Sequence, residues 1–386
     1  MEPLGWGAIL WQALIRFWPV WAALAVTLAV SFSLRARLGL YGRVITGPMG
    51  LLGVVLVLFW VFTALFADLI ITHPVLAAQS GMRNALPGAP LPNPGEGYGH
   101  YLLGGDSRAR DVFSRMVMGA RRVLVIAPAA TALAFVMGIT LGLPAGYVGG
   151  RLDAALTFLA NLVLAFPVIL LFYLLVTPEI QLTAIPTTLA AVLFLFPVLF
   201  LLLLVHSRQS GSGLMRAGAL GAVLLLGFWA WAGLAFDADP LGLWRMEPNL
   251  LNVFVAVAFV NAPTVFRIVR GLTMDLRARD YVAAARTRGE GLWYILLWEI
   301  LPNARGPLIV DFCLRIGYTT ILLGTLGFFG LGVSPESPDW GSTINDGRRL
   351  LSAFPHAALA PALALMSLVL ALNLLADALR EASERD

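Results

Sequence analysis

The side chains here that could attack, protonate or bind a metal are few and scattered. The four histidines, His73, His100, His206 and His356, form no H-E-x-x-H pair, and there is no G-x-S-x-G elbow. A lone histidine in a loop is read as solvated rather than catalytic. The single cysteine, Cys313, lies in an apolar run, where it reads as a small core residue and can form no intrachain disulfide. All 26 basic residues are arginine. The lysine that a G-x-x-x-x-G-K-[ST] loop extends to nucleotide phosphates is therefore missing, and the chain has no such ATP site of its own. The chemistry on offer is recognition and positioning, not bond-making.

Three groups have spacing that suits that work. Asp106, Arg110 and Asp111 form either an ion-pair cluster at the external mouth of a pathway or a solvated loop contact. Gly138, Gly142 and Gly146, four apart, make a smooth stripe on one helix face along which a second backbone can pack, and Phe166-Pro167 marks a kink in an apolar stretch. The third group runs from Asp280 and Tyr281 through Ala283, Ala284, Ala285 and Arg286 to Gly289, and on to Leu301-Pro302-Asn303. It predicts a short alanine-rich helix, a glycine break, a second short helix and a proline-marked start of the next span. Such a slim helix, flanked by Arg267, Arg270, Arg277 and Arg279, suits either a groove in a partner protein or a bed of lipid headgroups.

The elements that must position these residues are membrane helices. With 59% hydrophobic and 12% charged residues and a mean hydropathy of +0.83, the 386-residue chain reads as an all-α polytopic membrane protein. Apolar stretches at roughly 15–34, 49–71, 122–147, 154–176, 185–205, 215–236, 249–268, 308–332 and 357–378 make about nine spans. Placing alternate loops inside collects Arg35, Arg37, Arg43, Arg151, Arg208, Arg216 and the run from Arg267 to Arg305 on one side, which the positive-inside rule makes cytoplasmic. The N-terminus, with no basic n-region of a signal peptide, is expected to be retained and outside; the C-terminus is expected inside. The loop 72–121, with Pro87, Pro90, Pro92 and Pro94, is then external, and 206–214 is the most linker-like piece. In a membrane protein the basic excess is topological and indicates no nucleic acid.

The order Ala284-Ala285, Gly289, Leu301-Pro302 resembles the cytoplasmic "EAA" loop of ABC importer permeases, with Ala283 where that family has glutamate. Further stretches resemble the C-type permease subunit of dipeptide, oligopeptide and nickel importers. They are Gly104-Gly105-Asp106 with Ala109-Arg110-Asp111-Val112 and Ser114-Arg115, where Gly105 and Ala109 depart from the family's Thr and Gly, and the glycine stripe continued to Tyr147, Gly149, Gly150 and Asp153, then Ala165-Phe166-Pro167. Phe329-Gly330-Leu331-Gly332, Pro338-Asp339-Trp340-Gly341 and Asn373-Leu374-Leu375 with Asp377 and Arg380 follow. The resemblance implies a non-catalytic inner-membrane subunit that pairs with a second homologous permease, binds two ATPase subunits holding ATP and Mg, and receives substrate from an external solute-binding protein. In that family the loop docks on the ATPase, which assigns coupling to Asp280, Tyr281, Ala283, Ala284, Ala285, Arg286, Gly289, Leu301 and Pro302.

The family core has six spans, so about three are additional here. Residues 1–48 would hold an extra N-terminal helix and cytoplasmic loop, 49–176 the first part of the core, 177–248 an inserted helix pair, and 249–386 the second part with the coupling loop 271–306. The rival reading, a stand-alone secondary transporter, expects ionisable groups at the bilayer midplane. The centres of the spans have essentially none, and Asp311 and Arg315 are spaced to pair with each other.

Overall fold

A computed structural model describes residues 2–93, 98–208, 213–244, 246–331 and 337–384. Pro94 of the loop expected to be external, 209–212 of the expected linker and Gly332 lie outside the described residues. Helices α1 (Trp6–Arg16) and α2 (Trp18–Ser33) meet at 55° and are followed by α3 (Gly39–Val44), α4 (Pro48–Leu65) and α5 (Ala67–Ile70). In the loop that follows, β1 (Ala89–Pro90) pairs antiparallel with β2 (His100–Tyr101). Then come α6 (Val112–Val148), α7 (Gly150–Leu164), α8 (Val168–Val176), α9 (Pro178–Gln181), α10 (Ile185–Ser207), α11 (Gly213–Phe236), α12 (Pro248–Leu276) and α13 (Asp280–Thr287). A short α14 (Leu292–Tyr294) passes through a π-helical turn (Ile295–Ile300) into α15 (Leu301–Asn303), and α16 (Arg305–Phe328), α17 (Trp340–Arg348) and α18 (His356–Glu384) complete the chain.

Among the described residues, seven of these helices are long and apolar enough to cross a membrane, and counting each of two bent pairs as one span gives nine. The first pair is α1 with α2; the second is α7 with α8, which meet at 80°. The break at Pro167 is sharper than the kink its sequence predicts. Proline lacks the N–H that would continue the ladder and biases the residue before it away from helix, so α7 ends at Leu164 and α8 restarts at Val168. Pro197, Pro263 and Pro361 remain inside continuous helices.

The chain forms two compact units, one of residues 1–128 and 313–386, the other of 129–312. In the first, α4 lies on α18: a Cβ on Gly53 would stand 2.8 Å from the Leu375 nitrogen, and Trp60 Nε1 donates to Ser367 Oγ at 2.9 Å. Trp60 also meets the fully buried Trp340 edge-on, ring centres 5.1 Å apart. In the second unit a core of Phe135, Leu143, Val265 and Val269 continues into Val282, Ala285, Leu296 and Ile300, so the segment after α12 is folded on the same core as the spans.

Candidate functional site

In the second unit the glycine stripe of α6 brings α12 into backbone contact. A Cβ on Gly138 would lie 2.5 Å from Val265 Cγ1, one on Gly142 2.8 Å from Val269 Cβ, and one on Gly146 2.5 Å from the Arg270 carbonyl oxygen. Arg270 grips Asp153 with two guanidinium nitrogens, through Nε to Oδ1 and through Nη2 to Oδ2 at 2.7 Å. Arg277 Nη1 donates to the carbonyls of Gly146 and Tyr147 at 3.0 and 3.2 Å, closing the C-terminal end of α6 with a cation where the helix dipole favours one. Phe166 and Pro167 are exposed.

Beyond Arg277 the chain turns into α13. Asp280 sits in its first turn, the favourable end for an anion. Val282 and Ala285, three apart, share a face and are wholly buried. Tyr281 packs at the edge of that core; its hydroxyl has no hydrogen-bond partner among the described residues, and burial raises its pKa. Asp280, Ala283, Ala284, Arg286 and Thr287 face outward. Ala285 therefore belongs to the anchoring face, whereas Ala283 and Ala284 leave a slim exposed one. Arg286 is held in place: Nε donates to the Tyr147 hydroxyl at 2.7 Å, and the guanidinium lies 4.8 Å from the Tyr147 ring centre.

The helix stops at Gly289, whose φ of +79° is open to glycine and strained for other residues. Gly289 N–H donates to the Arg286 carbonyl at 2.9 Å and Glu290 N–H to the Ala285 carbonyl at 3.2 Å, the paired bonds of a Schellman stop. The chain then reverses, pinned by Arg288 Nη2 to Glu299 Oε1 at 2.7 Å. The π-helical turn follows from Pro302, which has no N–H to give and whose ring crowds the preceding turn. Leu301 and Pro302 border an apolar groove of about 350 Å³ with Phe135, Arg305, Leu308 and Phe312.

Helix α10 touches this segment, which its sequence does not announce. Trp298 Nε1 donates to Ser207 Oγ at 3.0 Å, the Arg208 guanidinium lies 5.7 Å from the Trp298 ring centre, and Phe200, Leu203 and Leu204 pack on the core that buries Val282.

In the first unit Asp106, Arg110 and Asp111 are buried rather than solvated. Arg110, 3% exposed, donates through Nε to Asp106 Oδ2 and through Nη2 to Asp346 Oδ2, both at 2.7 Å. Asp106 also accepts from the Arg108 and Arg110 amides at 2.8 and 2.9 Å. Arg115, fully buried, reaches the Ser337 carbonyl and Thr343 Oγ1 at 3.1 and 3.2 Å. Asp111 does not join the Arg110 cluster. It stands just before α6 and accepts from the amides of Phe113 and Ser114 at 3.3 and 3.1 Å and from Thr72 Oγ1 at 2.8 Å, acting as an N-cap. His73, expected to be solvated, is buried 3.5 Å from Asp111, and its Nε2 donates to the Tyr98 carbonyl at 2.8 Å.

Ala109, where the resembling pattern has glycine, adopts a φ of +60°. An L-residue pays about 1 kcal/mol or more in that region, so Ala109→Gly should stabilise this loop by about 0.5–1 kcal/mol, read as a raised Tm. An unchanged or lower Tm would mean that the Ala109 methyl, which packs against Met82, Leu91 and Tyr101, outweighs the strain.

Residues 138–386 match the family described as binding-protein-dependent transport system inner membrane component. The chain is 32% identical over 290 residues to the glutathione transport system permease protein of Pectobacterium atrosepticum, covering 75% of this chain and 74% of that one. It is 27% identical over 334 residues to the dipeptide transport system permease protein of Alkalihalophilus pseudofirmus, covering 86% and 84%. It is 28% identical over 336 residues to the di/tripeptide transport system permease protein of Pseudomonas aeruginosa, covering 87% of each. With its apolar helices and this match over well over half its length, the chain belongs to the binding-protein-dependent transport system inner membrane components, as a multi-pass permease of an ABC importer.

Proposed function

We propose that this permease forms one half of the passage of an importer for peptides or similar small solutes, and that the outward face of α13 is where an ATPase subunit docks. The observation that carries the docking is the division of α13: Val282 and Ala285 are fixed in the same core as Val265 and Val269 of α12, while Ala283 and Ala284 present a low, exposed surface. A push on that surface is transmitted to the spans through buried contacts instead of being absorbed by a loose loop. Asp280 and Arg286 at its ends offer charges to a partner's rim, and Ala283 leaves space where the resembling family has a carboxylate. A second homologous permease would supply the other half, two ATPase subunits the ATP and Mg, and an external binding protein the substrate. Peptide cargo is supported by the names of the relatives, which are dipeptide, di/tripeptide and glutathione systems.

The test is Ala284→Trp. The position is exposed, so the folded chain should tolerate the ring, within about 0.5 kcal/mol. Co-purification of ATPase subunits from detergent-solubilised membranes and substrate uptake should both be lost. Uptake at the wild-type rate with the ring in place would remove α13 as the docking surface.

A further inference from the structure

The N-terminal helix pair is unlike an ordinary span. Four of the chain's 11 tryptophans lie within 16 residues, at positions 6, 11, 18 and 21. They are 66, 64, 64 and 43% exposed. No charged residue stands between Glu2 and Arg16. Trp6, Leu10, Trp11 and Leu14 form an apolar outer face on α1, while the inner side carries the buried Ile9 and ends at Phe17, which packs 5.9 Å from Phe113.

That inner side is also tied to the external loop. Leu4 N–H donates to the Gly88 carbonyl at 2.9 Å, His100 Nε2 donates to the Glu2 carbonyl at 3.0 Å, and the Arg16 guanidinium lies 5.0 Å from the Tyr98 ring centre. The two polar ends of α1 are thus committed to the loop, and what it turns outward is wholly apolar.

Lengths argue for how α1 meets the bilayer. The 16 residues of α2 rise about 24 Å, short of the roughly 30 Å hydrocarbon core. The 11 residues of α1, inclined at 55°, add about 9 Å along the same direction. Tryptophan concentrates at the boundary between headgroups and acyl chains, and the outer face of α1 continues the exposed face of α2 through Trp18 to Val26 and Val30.

We infer that α1 lies obliquely in the outer leaflet, with Trp6, Leu10, Trp11 and Leu14 in lipid, and that it is an anchor fastening β1 and β2 to the membrane surface. The occupant of the face is lipid, because the face is charge-free, rich in tryptophan and continuous with that of a spanning helix. This reading is independent of where the ATPase docks.

Cys313 is the single cysteine, so a Cys313→Ala background accepts one nitroxide label at a time. With the chain in its importer complex in nanodiscs, labels at Leu10→Cys and Leu14→Cys should collide often with oxygen and rarely with a water-soluble nickel chelate. Their depth should be shallower than that of Val26→Cys. Nickel collisions as frequent as at Arg108→Cys would put α1 in water and overturn the inference. An immobile label shielded from both reagents would overturn it too, by placing a protein partner on the face. A second readout needs no cysteine: lipids brominated close to the headgroup should quench the tryptophan emission, and Trp6→Phe with Trp11→Phe should remove a large part of that quenching. Quenching unaffected by the pair would again contradict a lipid-facing α1.

Discussion

Gly289→Pro should abolish transport. Proline holds φ near −65°, whereas residue 289 sits at +79°, and the substitution also removes the N–H that bonds the Arg286 carbonyl. The Schellman stop cannot form, and the local cost is about 3 kcal/mol or more. The reversal that returns Arg288 to Glu299 is lost with it. Gly289→Ala, costing about 1–2 kcal/mol in the left-handed region, should give a partial loss. Uptake measured in whole cells, normalised to the amount of chain in the membrane, should fall in the order wild type, alanine, proline. Wild-type uptake in the proline variant would mean that the shape of this segment is irrelevant to transport.

The largest effect on stability should come from Arg110→Ala. The substitution removes the 2.7 Å partner of Asp106, which is 1% exposed and keeps the Arg115 guanidinium at 3.8 Å, and releases Asp346; removing one partner of a buried pair costs about 3–5 kcal/mol. A matched double change, Asp106→Asn with Arg110→Met, removes both charges and should recover part of that loss. Thermal unfolding of the purified chain in detergent would show a large drop in Tm for the single variant and a smaller one for the double. Equal drops would mean that the cost lies in packing or in the amide bonds to Asp106 rather than in an unpaired charge.

These two residues also show what is legible from sequence. The glycine at 289 is readable because a helix stop is local: six residues contain both its bonds. Spans are readable for a similar reason, since hydropathy is a property of each stretch taken alone. Arg110 is different. Its spacing to Asp106 is local, but Asp346 is 236 positions away, and nothing in composition brings the two together. Asp111 shows competition between short-range options: a carboxylate just before a helix has free amides to satisfy, and these outbid the neighbouring guanidinium. Among the prolines, residue type alone does not separate the 80° break at Pro167 from the uninterrupted helix around Pro263, because what surrounds each ring decides. Trp298 and Ser207 are 91 positions apart, so the contact between α10 and the α13 segment emerges only from the fold.

The spacing of Gly138, Gly142 and Gly146 bears on how the permease can move. Val265 and Val269 sit in notches that have no side chain of their own, so a small slide of α12 along α6 drives each valine out of its notch and against the larger residues between. The next register in which they fit is one glycine spacing away, four residues or about 6 Å. Between those positions there is no soft path, and Arg277 on the Gly146 and Tyr147 carbonyls locks the one observed. The two helices therefore act as a toothed rack held at one setting, a single rigid part, and the small displacements of a transport cycle must be taken up at joints elsewhere.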